Sequence, residues 1–87
     1  MLYEAENALG KYEPLGRFLK ASTKEEETLT YKQIEAILHD TLPESAYQLS
    51  AWWANENTHV QAEAWREAGW KVAKVELGQT ITWHRAG

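Results

Sequence analysis

Apolar residues recur with helical spacing early in the chain. Leu15, Phe18 and Leu19 lie three and four residues apart, which predicts an amphipathic helix over about residues 13–21. Pro14 suits the first turn of such a helix, because that turn leaves its backbone N–H groups unpaired in any case. The weakly patterned residues 1–10 are therefore predicted to form a flexible N-terminal arm, ahead of a single domain over residues 11–87.

A strand and a second helix are predicted next. Thr30 and Gln33 have the spacing of a capping box, in which each side chain bonds the other residue's backbone N–H. The apolar face behind them predicts a helix over about 31–40, following directly on a short β-prone strand at 28–30. The charged run KEEE at 24–27 is typical of a solvated loop.

Two further helices follow a segment that contains Pro43. The proline disfavours helical geometry in the preceding residue and suits a helix start, which predicts a short helix over about 43–49. Residues 51–54 carry few helix signals and are interpreted as an extended segment or a turn. Thr58 and Gln61 again have capping-box spacing and predict a helix over 58–68 that ends at a left-handed Gly69. Its apolar face is predicted to be Val60, Ala64, Trp65 and Ala68.

The C-terminal third is patterned as a β-hairpin. Residues 70–77 and 80–85 are rich in β-branched and aromatic side chains, and the pair Gly78-Gln79 between them fits a two-residue type II′ turn. One face of the first strand is predicted to hold Ala73, Val75 and Leu77, and one face of the second Ile81, Trp83 and Arg85.

Helix, short strand, three helices and a hairpin together predict a small α+β domain of winged-helix-like topology. In that topology the helix at 58–68 is the recognition helix and the hairpin is the wing. The prediction rests on element order alone, and other small α+β domains use the same parts.

The amino-acid composition and the absence of motifs exclude several kinds of functional site. The chain has 87 residues, no cysteine and a formal net charge of −4. The absence of cysteine excludes disulfides and thiolate metal sites and favours a cytoplasmic location, and no apolar run has the length of a membrane span. Neither a metal-ligand motif such as HExxH nor a glycine-rich phosphate loop is present, so we expect no cofactor, no metal and no enzymatic activity.

The charge distribution is compatible with DNA as a partner. Residues 1–50 hold five basic and nine acidic side chains, whereas residues 51–87 hold four of each. Amide and guanidinium groups can read base edges, and lysines can contact the phosphates that position a wing. The predicted nucleic-acid-binding residues are Asn55, Asn57, His59, Gln61, Arg66, Lys71, Lys74 and Arg85.

Two adjacent tryptophans add a second candidate feature. Trp52 and Trp53 can both be buried only if their segment is enclosed on two sides, so one of them is predicted to be partly exposed as a stacking platform or interface anchor. The acidic first half, with Glu25, Glu26 and Glu27, could instead address a basic protein surface. A protein-interaction module, such as an adaptor or a phage-borne inhibitor of a host protein, is therefore the alternative to DNA binding.

Several segments resemble a family of small bacterial domains without an established activity. The resemblance covers about residues 11–85 and rests on Lys11-Tyr12 with Pro14-Leu15, LTYKQIEAIL, LPESA, AWWAN, Trp65 followed by AGWKV, and TITWHR. Members of that family often carry more basic residues after the LP…SA segment than the Tyr47-Gln48-Leu49 of this chain. The resemblance implies an intact domain of bacterial or phage origin and assigns no catalytic residues.

Overall fold

The structure, a computed structural model, describes the backbone of residues 2–86 and the side chains of residues 10–86. Within these residues the chain forms four α-helices, one 3₁₀ turn and three strands. In chain order they are α1 (Leu2–Ala21), β1 (Glu26–Thr30), α2 (Tyr31–Leu38), α3 (Glu44–Gln48), the 3₁₀ turn (Ser50–Trp53), α4 (Val60–Glu67), β2 (Trp70–Glu76) and β3 (Thr80–Arg85).

The three strands form one antiparallel sheet in the order β1-β3-β2. Leu29, Ile81 and Trp83 are buried on the face that the helices cover, while Lys71 and His84 are exposed on the other face. The predicted α+β class, with its short first strand and C-terminal hairpin, is confirmed in this form.

Indole rings fill the centre of the core. Trp53, Trp65, Trp70 and Trp83 are fully buried, and the rings of Trp53 and Trp65 stack with centroids 6.0 Å apart. The Trp83 ring meets both of them edge-on, at 6.1 and 5.8 Å. Large aromatic side chains supply much burial per residue, which suits a short chain.

Helix α1 begins at Leu2, well before the start predicted at residue 13. Pro14 therefore lies inside the helix and not in its first turn. The turn before the proline is held by tertiary contacts, because Tyr12 is buried against Trp52 and Lys11 pairs with Asp40. Side chains are described only from residue 10 onwards, so the predicted flexibility of residues 1–10 stays a prediction.

The KEEE run is a loop only at Lys24 and Glu25, and the prediction was wrong for Glu26 and Glu27. β1 already begins at Glu26, and Glu27 is buried on the inner face of the sheet. Its carboxylate accepts a 2.6 Å hydrogen bond from the Ser22 hydroxyl and lies 4.0 Å from the Lys24 ammonium. A buried carboxylate is tolerated when it is bonded in this way, so alternation within β1 decides the burial of Glu27 although its sequence neighbours are charged.

Helix α2 starts at the predicted capping box and ends earlier than predicted. The Thr30 hydroxyl accepts from the Gln33 N–H at 3.0 Å, and the Gln33 side chain accepts from the Thr30 N–H at 2.8 Å. The helix stops at Leu38 because His39 is left-handed, with φ of 58°. The Asp40 N–H then bonds the Glu35 carbonyl in a Schellman arrangement.

Because His39 occupies a conformation that costs a side-chain-bearing residue free energy, we expect His39→Gly to stabilise the domain. The gain should be about 0.5–1 kcal/mol in the free energy of unfolding, measured by urea denaturation. Ala36→Gly, in the same helix at an ordinary helical position, should lower that free energy by a similar amount. Destabilisation by both substitutions would contradict the argument.

Helix α4 is shorter than predicted, and its buried face matches the prediction only in part. Ala64 and Trp65 are buried as predicted and Ala68 packs against the core, whereas Val60 is exposed. The helix spans Val60–Glu67, and His59 precedes it without a side-chain capping bond, so the predicted Thr58/Gln61 capping box does not form. The Gln61 amide instead donates to the Trp52 carbonyl at 2.9 Å. This bond draws Gln61 inward and turns Val60 outward. The buried residues of the helix are Gln61, Ala62, Ala64 and Trp65.

The hairpin loop has three residues, so the predicted two-residue type II′ turn was wrong. Glu76 pairs with Thr80, and the Gln79 N–H bonds the Glu76 carbonyl at 2.8 Å. Gly78 has φ of 74° at the third position of this turn, as a type II turn requires. Gly69, with φ of 89°, has the predicted left-handed conformation.

The predicted face of Ala73, Val75 and Leu77 is interrupted. The register of β2 against β3 shifts between Val72 and Lys74, which leaves Ala73 as a bulged residue. Val72 and Val75, on opposite sides of the bulge, both pack against the core.

Candidate interaction surface

Asn55 was predicted to contact DNA. Its side chain instead hydrogen-bonds the backbone of β2 as a neighbouring strand would, and we call it a surrogate strand. Its amide donates to the Val72 carbonyl at 2.9 Å, and its carbonyl accepts from the Val72 N–H at 2.8 Å. The same carbonyl oxygen accepts from the buried Trp65 indole N–H at 2.9 Å. All of these bonds join the loop before α4 to β2 and to the core.

The two adjacent tryptophans differ in burial, as the sequence predicts. Trp53 is fully buried, and its indole N–H donates to the Ala46 carbonyl at 2.9 Å and to the Tyr31 hydroxyl at 3.1 Å. The Tyr31 hydroxyl itself donates to the Ala46 carbonyl at 2.7 Å. Trp52 is half-buried and meets the Tyr12 ring edge-on at 5.8 Å. Any stacking role is therefore limited to the open side of Trp52.

The Arg85 side chain hydrogen-bonds the backbone of the α1–β1 connection. Its guanidinium donates to the backbone carbonyls of Lys24 and Ser22 and lies 4.9 Å from the Trp70 ring centroid. Its Nε is also 3.9 Å from a Glu25 carboxylate oxygen. A guanidinium engaged by carbonyls, a carboxylate and an aromatic face has few donors left for a phosphate.

The remaining predicted nucleic-acid contacts do not converge. Lys71 and Lys74 project from the sheet face opposite the helices, and Lys74 pairs with Glu76 at 3.1 Å. Arg66 projects from α4, in the helical layer, beside Glu67. His59 and Asn57 lie in the loop before that helix. The fold thus distributes these groups over separate surfaces and builds no continuous basic patch from them.

Three exposed apolar side chains lie on two segments that both contact Tyr31, the end of α3 and the hairpin turn. Tyr47 packs on Tyr31 with ring centroids 4.7 Å apart, and the Tyr31 N–H bonds the Gln79 carbonyl, two residues beyond Leu77. Leu49 follows Tyr47 by two residues at the end of α3. The exposed fractions are 38% for Tyr47, 57% for Leu49 and 39% for Leu77. We call Tyr47, Leu49 and Leu77 the hairpin-end surface.

A carboxylate fixes the orientation of Tyr47. Glu35 accepts a 2.7 Å hydrogen bond from the Tyr47 hydroxyl and a 2.9 Å bond from the Leu42 N–H. These two bonds, the backbone one foremost, lower the pKa of Glu35 below its ordinary value. The bond to Glu35 also raises the pKa of Tyr47, so its hydroxyl stays protonated. Glu35 therefore ties the α2–α3 connection and the aromatic ring together.

Because the pKa of Glu35 is lower in the folded chain than its ordinary value of 4.5, its ionised form stabilises the fold above that value. This stabilisation is lost as the pH falls through the folded pKa. We expect Glu35→Gln to be less stable than the wild type at about pH 7, and the difference to shrink towards about pH 3. Urea denaturation of both proteins across this range measures it. A difference that does not change with pH would show that Glu35 acts through packing alone.

The hairpin-end surface is not predictable from the sequence pattern. Tyr47 and Leu49 fall in a predicted short helix without an assigned apolar face, and Leu77 falls in a predicted strand. The available signal was weak: Leu49 lies beyond the last turn of its helix, where an apolar residue has no periodic partner. Tyr31 links the two segments that carry these residues, through its ring contact with Tyr47 and its N–H bond to the Gln79 carbonyl.

Neither a metal cluster nor a membrane helix is found in the described part of the chain. No three His, Cys, Asp or Glu side chains among these residues group as metal ligands would. No helix there is long and apolar enough to cross a bilayer.

Comparison with known proteins identifies a family without assigning an activity. Neither the curated proteins nor the solved structures give a match to this chain. A family model does match, over residues 12–87, which include the three strands of the described residues and the second half of α1. The predicted resemblance to an uncharacterised family of small domains is confirmed. The chain belongs to the family described as Domain of unknown function (DUF7662).

Proposed function

We propose that this domain is a non-enzymatic protein-interaction module that binds its partner through the hairpin-end surface. The observation that carries the proposal is the exposure of Tyr47, Leu49 and Leu77 on the end of α3 and the hairpin turn, two segments that both contact Tyr31. Exposed apolar side chains that together form a patch mark interaction sites, whereas single scattered ones are ordinary. A tyrosine held by a tilted contact with a second ring and by a hydrogen bond is well suited to serve as an anchor.

Charge supports a protein partner over DNA. The chain carries a net charge of −4, and its basic groups lie on separate surfaces. On α4, Arg66 is accompanied by Glu63 and Glu67, whose carboxylates would meet phosphates unfavourably. We also expect the domain to act in the cytoplasm, because it contains no cysteine.

Site-specific cross-linking in bacterial host cells tests this proposal. A photoreactive benzophenone amino acid would replace Leu49 in one variant and Val60, another exposed aliphatic position, on α4, in the other. We expect the position-49 variant to form a discrete adduct with another protein, identified by mass spectrometry, and the position-60 variant to form none. Equal adducts from both positions, or none from position 49, would refute the proposal.

DNA binding is a second candidate, and topology is the observation that favours it. The element order and the strand order β1-β3-β2 are compatible with a winged-helix domain, in which α4 would be the recognition helix and the hairpin the wing. Among the described residues, the Asn57, Arg66 and Lys71 side chains make no hydrogen bond or ion pair. They are the candidate contacts that the fold leaves available.

Fluorescence polarisation with random-sequence duplex DNA decides this candidate. Binding that weakens steeply with added salt, and further with Arg66→Ala or Lys71→Ala, would support it. The same variants should leave cross-linking at position 49 unchanged. A lack of binding even at low salt would eliminate DNA as the partner.

A further inference from the structure

We infer that the aromatic side chains of this domain carry an oxidising equivalent from its tryptophans to the Tyr47 phenol, whose proton passes to the Glu35 carboxylate. The inference is independent of the proposed protein interaction. Three observations support it. Aromatic rings form one connected series, Tyr47 lies at an exposed end of that series, and its hydroxyl is hydrogen-bonded to a carboxylate.

Neighbouring rings connect the surface to the centre of the core. The ring centroid of Tyr47 lies 4.7 Å from that of Tyr31, which lies 5.5 Å from that of Trp53. The Trp53 centroid lies 4.7 Å from that of Trp52. The aromatic series, as we call these linked rings, comprises Tyr12, Tyr31, Tyr47, Trp52, Trp53, Trp65 and Trp83.

These separations allow electron transfer in short steps. Ring centroids about 4.5–7 Å apart belong to side chains in contact. Because the rate of electron transfer falls steeply with distance, several steps between contacting rings are faster than one long step across the domain. The aromatic series therefore provides a continuous path between Trp52 and Tyr47.

Both ends of this path are open to solvent. Trp52 is half-buried and Tyr47 is exposed, whereas Tyr31 and Trp53 between them are buried. A one-electron oxidant in solution can reach the indole ring of Trp52. The resulting oxidising equivalent can then move inward, to the buried indoles, or along the path to Tyr47.

The hydrogen bond of Tyr47 favours the second outcome. A phenol becomes far more acidic than a carboxylic acid when it loses an electron, so its oxidation is favoured where a base accepts its proton. The Glu35 carboxylate accepts from the Tyr47 hydroxyl at 2.7 Å. Of the three tyrosines in the series, Tyr47 is the one whose hydroxyl bonds a carboxylate among the described residues. The Tyr31 hydroxyl donates instead to the Ala46 carbonyl, which is not a base.

Each transfer conserves electrons and protons. The oxidant takes one electron from the Trp52 indole and leaves an indole radical cation. An electron from Tyr47 restores the indole while the phenolic proton passes to Glu35, which leaves a neutral tyrosyl radical and a carboxylic acid. A soluble hydrogen-atom donor such as ascorbate then restores the exposed phenol, and Glu35 releases its proton to water. The tryptophans of the core thereby stay reduced.

Pulse radiolysis of the full chain tests the inference. The oxidant is the azide radical, which reacts with indoles in preference to phenols. All proteins carry Tyr3→Phe, so that the remaining tyrosines are those of the aromatic series. We expect the indolyl radical to decay at a rate independent of protein concentration, while the tyrosyl radical appears at the same rate. A rate that rises in proportion to protein concentration would mean transfer between molecules and would overturn the inference.

Three variants identify the end of the path. Tyr47→Phe keeps the ring but removes the phenol, so most of the tyrosyl absorption should be lost and the indolyl radical should persist. Glu35→Gln replaces the base with an amide and should slow tyrosyl formation at least about tenfold. Tyr12→Phe, the matched control, removes a phenol elsewhere in the series and should leave the yield and the rate nearly unchanged. Circular dichroism establishes that each variant is folded.

Two results with these variants would contradict the inference. One is a tyrosyl yield in Tyr47→Phe equal to that of the parent, or a larger loss in Tyr12→Phe. The other is tyrosyl formation in Glu35→Gln at the parent rate. Cross-linking at position 49 measures a separate property, so failure of the proposed interaction and failure of this electron transfer are distinguishable.

Discussion

Asn55→Ala is expected to lower the free energy of unfolding by about 2–3 kcal/mol. The substitution removes both bonds to the Val72 backbone and leaves the buried Trp65 indole N–H without its acceptor. A buried donor that loses its partner costs more than the bond itself contributes, because it was desolvated on folding. Urea denaturation followed by tryptophan fluorescence measures the effect.

Two controls separate this role from a general effect of the loop. Asn57→Ala changes an exposed neighbour and should shift the free energy of unfolding by no more than about 0.5 kcal/mol. Asn55→Asp keeps an acceptor for the Trp65 and Val72 N–H groups but points a carboxylate oxygen at the Val72 carbonyl, so it should also destabilise. A cost for Asn57→Ala equal to that of Asn55→Ala would refute the strand-surrogate role.

Gly16→Ala is expected to lower the free energy of unfolding by about 1–3 kcal/mol. Helix α1 crosses α4 at this glycine, and an added Cβ would lie 2.6 Å from the Ala64 carbonyl oxygen. Since the clash is with backbone, no side chain can rotate to relieve it, and the helices must move apart.

Gly10→Ala is the matched control in the same helix. A Cβ at Gly10 meets nothing within 4 Å, so this substitution should raise stability by up to about 1 kcal/mol through helix propensity alone. Opposite signs for the two substitutions are the expected result in chemical denaturation. Stabilisation by both would mean that the α1–α4 crossing tolerates a wider spacing.

Local signals in the sequence predicted the elements whose boundaries are set locally. The Thr30/Gln33 capping box, Gly69 after α4 and the β-rich C-terminal third each act within a few residues, and each has its predicted conformation. The elements decided by distant partners were misplaced. Gln61 is buried because a carbonyl nine residues away accepts its amide, and helical periodicity contains no information on that bond.

The candidate site was less predictable than the fold, for the same reason. Asn55 and Arg85 have the side-chain chemistry of DNA-reading residues, but the fold uses that chemistry on its own backbone. Several residues that carry the family resemblance are likewise used inside the fold. Tyr31, Ala46 and Trp53 share one buried hydrogen-bond network, and the Trp65 ring stacks on Trp53. These four residues of the family pattern thus belong to the scaffold.

The surrogate strand formed by Asn55 also bears on aggregation. A sheet grows between molecules when an edge strand offers a row of unpaired N–H and C=O groups to another chain. At Val72 both groups are already bonded to Asn55, and the adjacent bulge at Ala73 interrupts the row further. The opposite edge, β1, has five residues, starts at Glu26 and has its last N–H bonded by Gln33. Both edges of the sheet are thereby poor templates for the intermolecular pairing that begins amyloid growth.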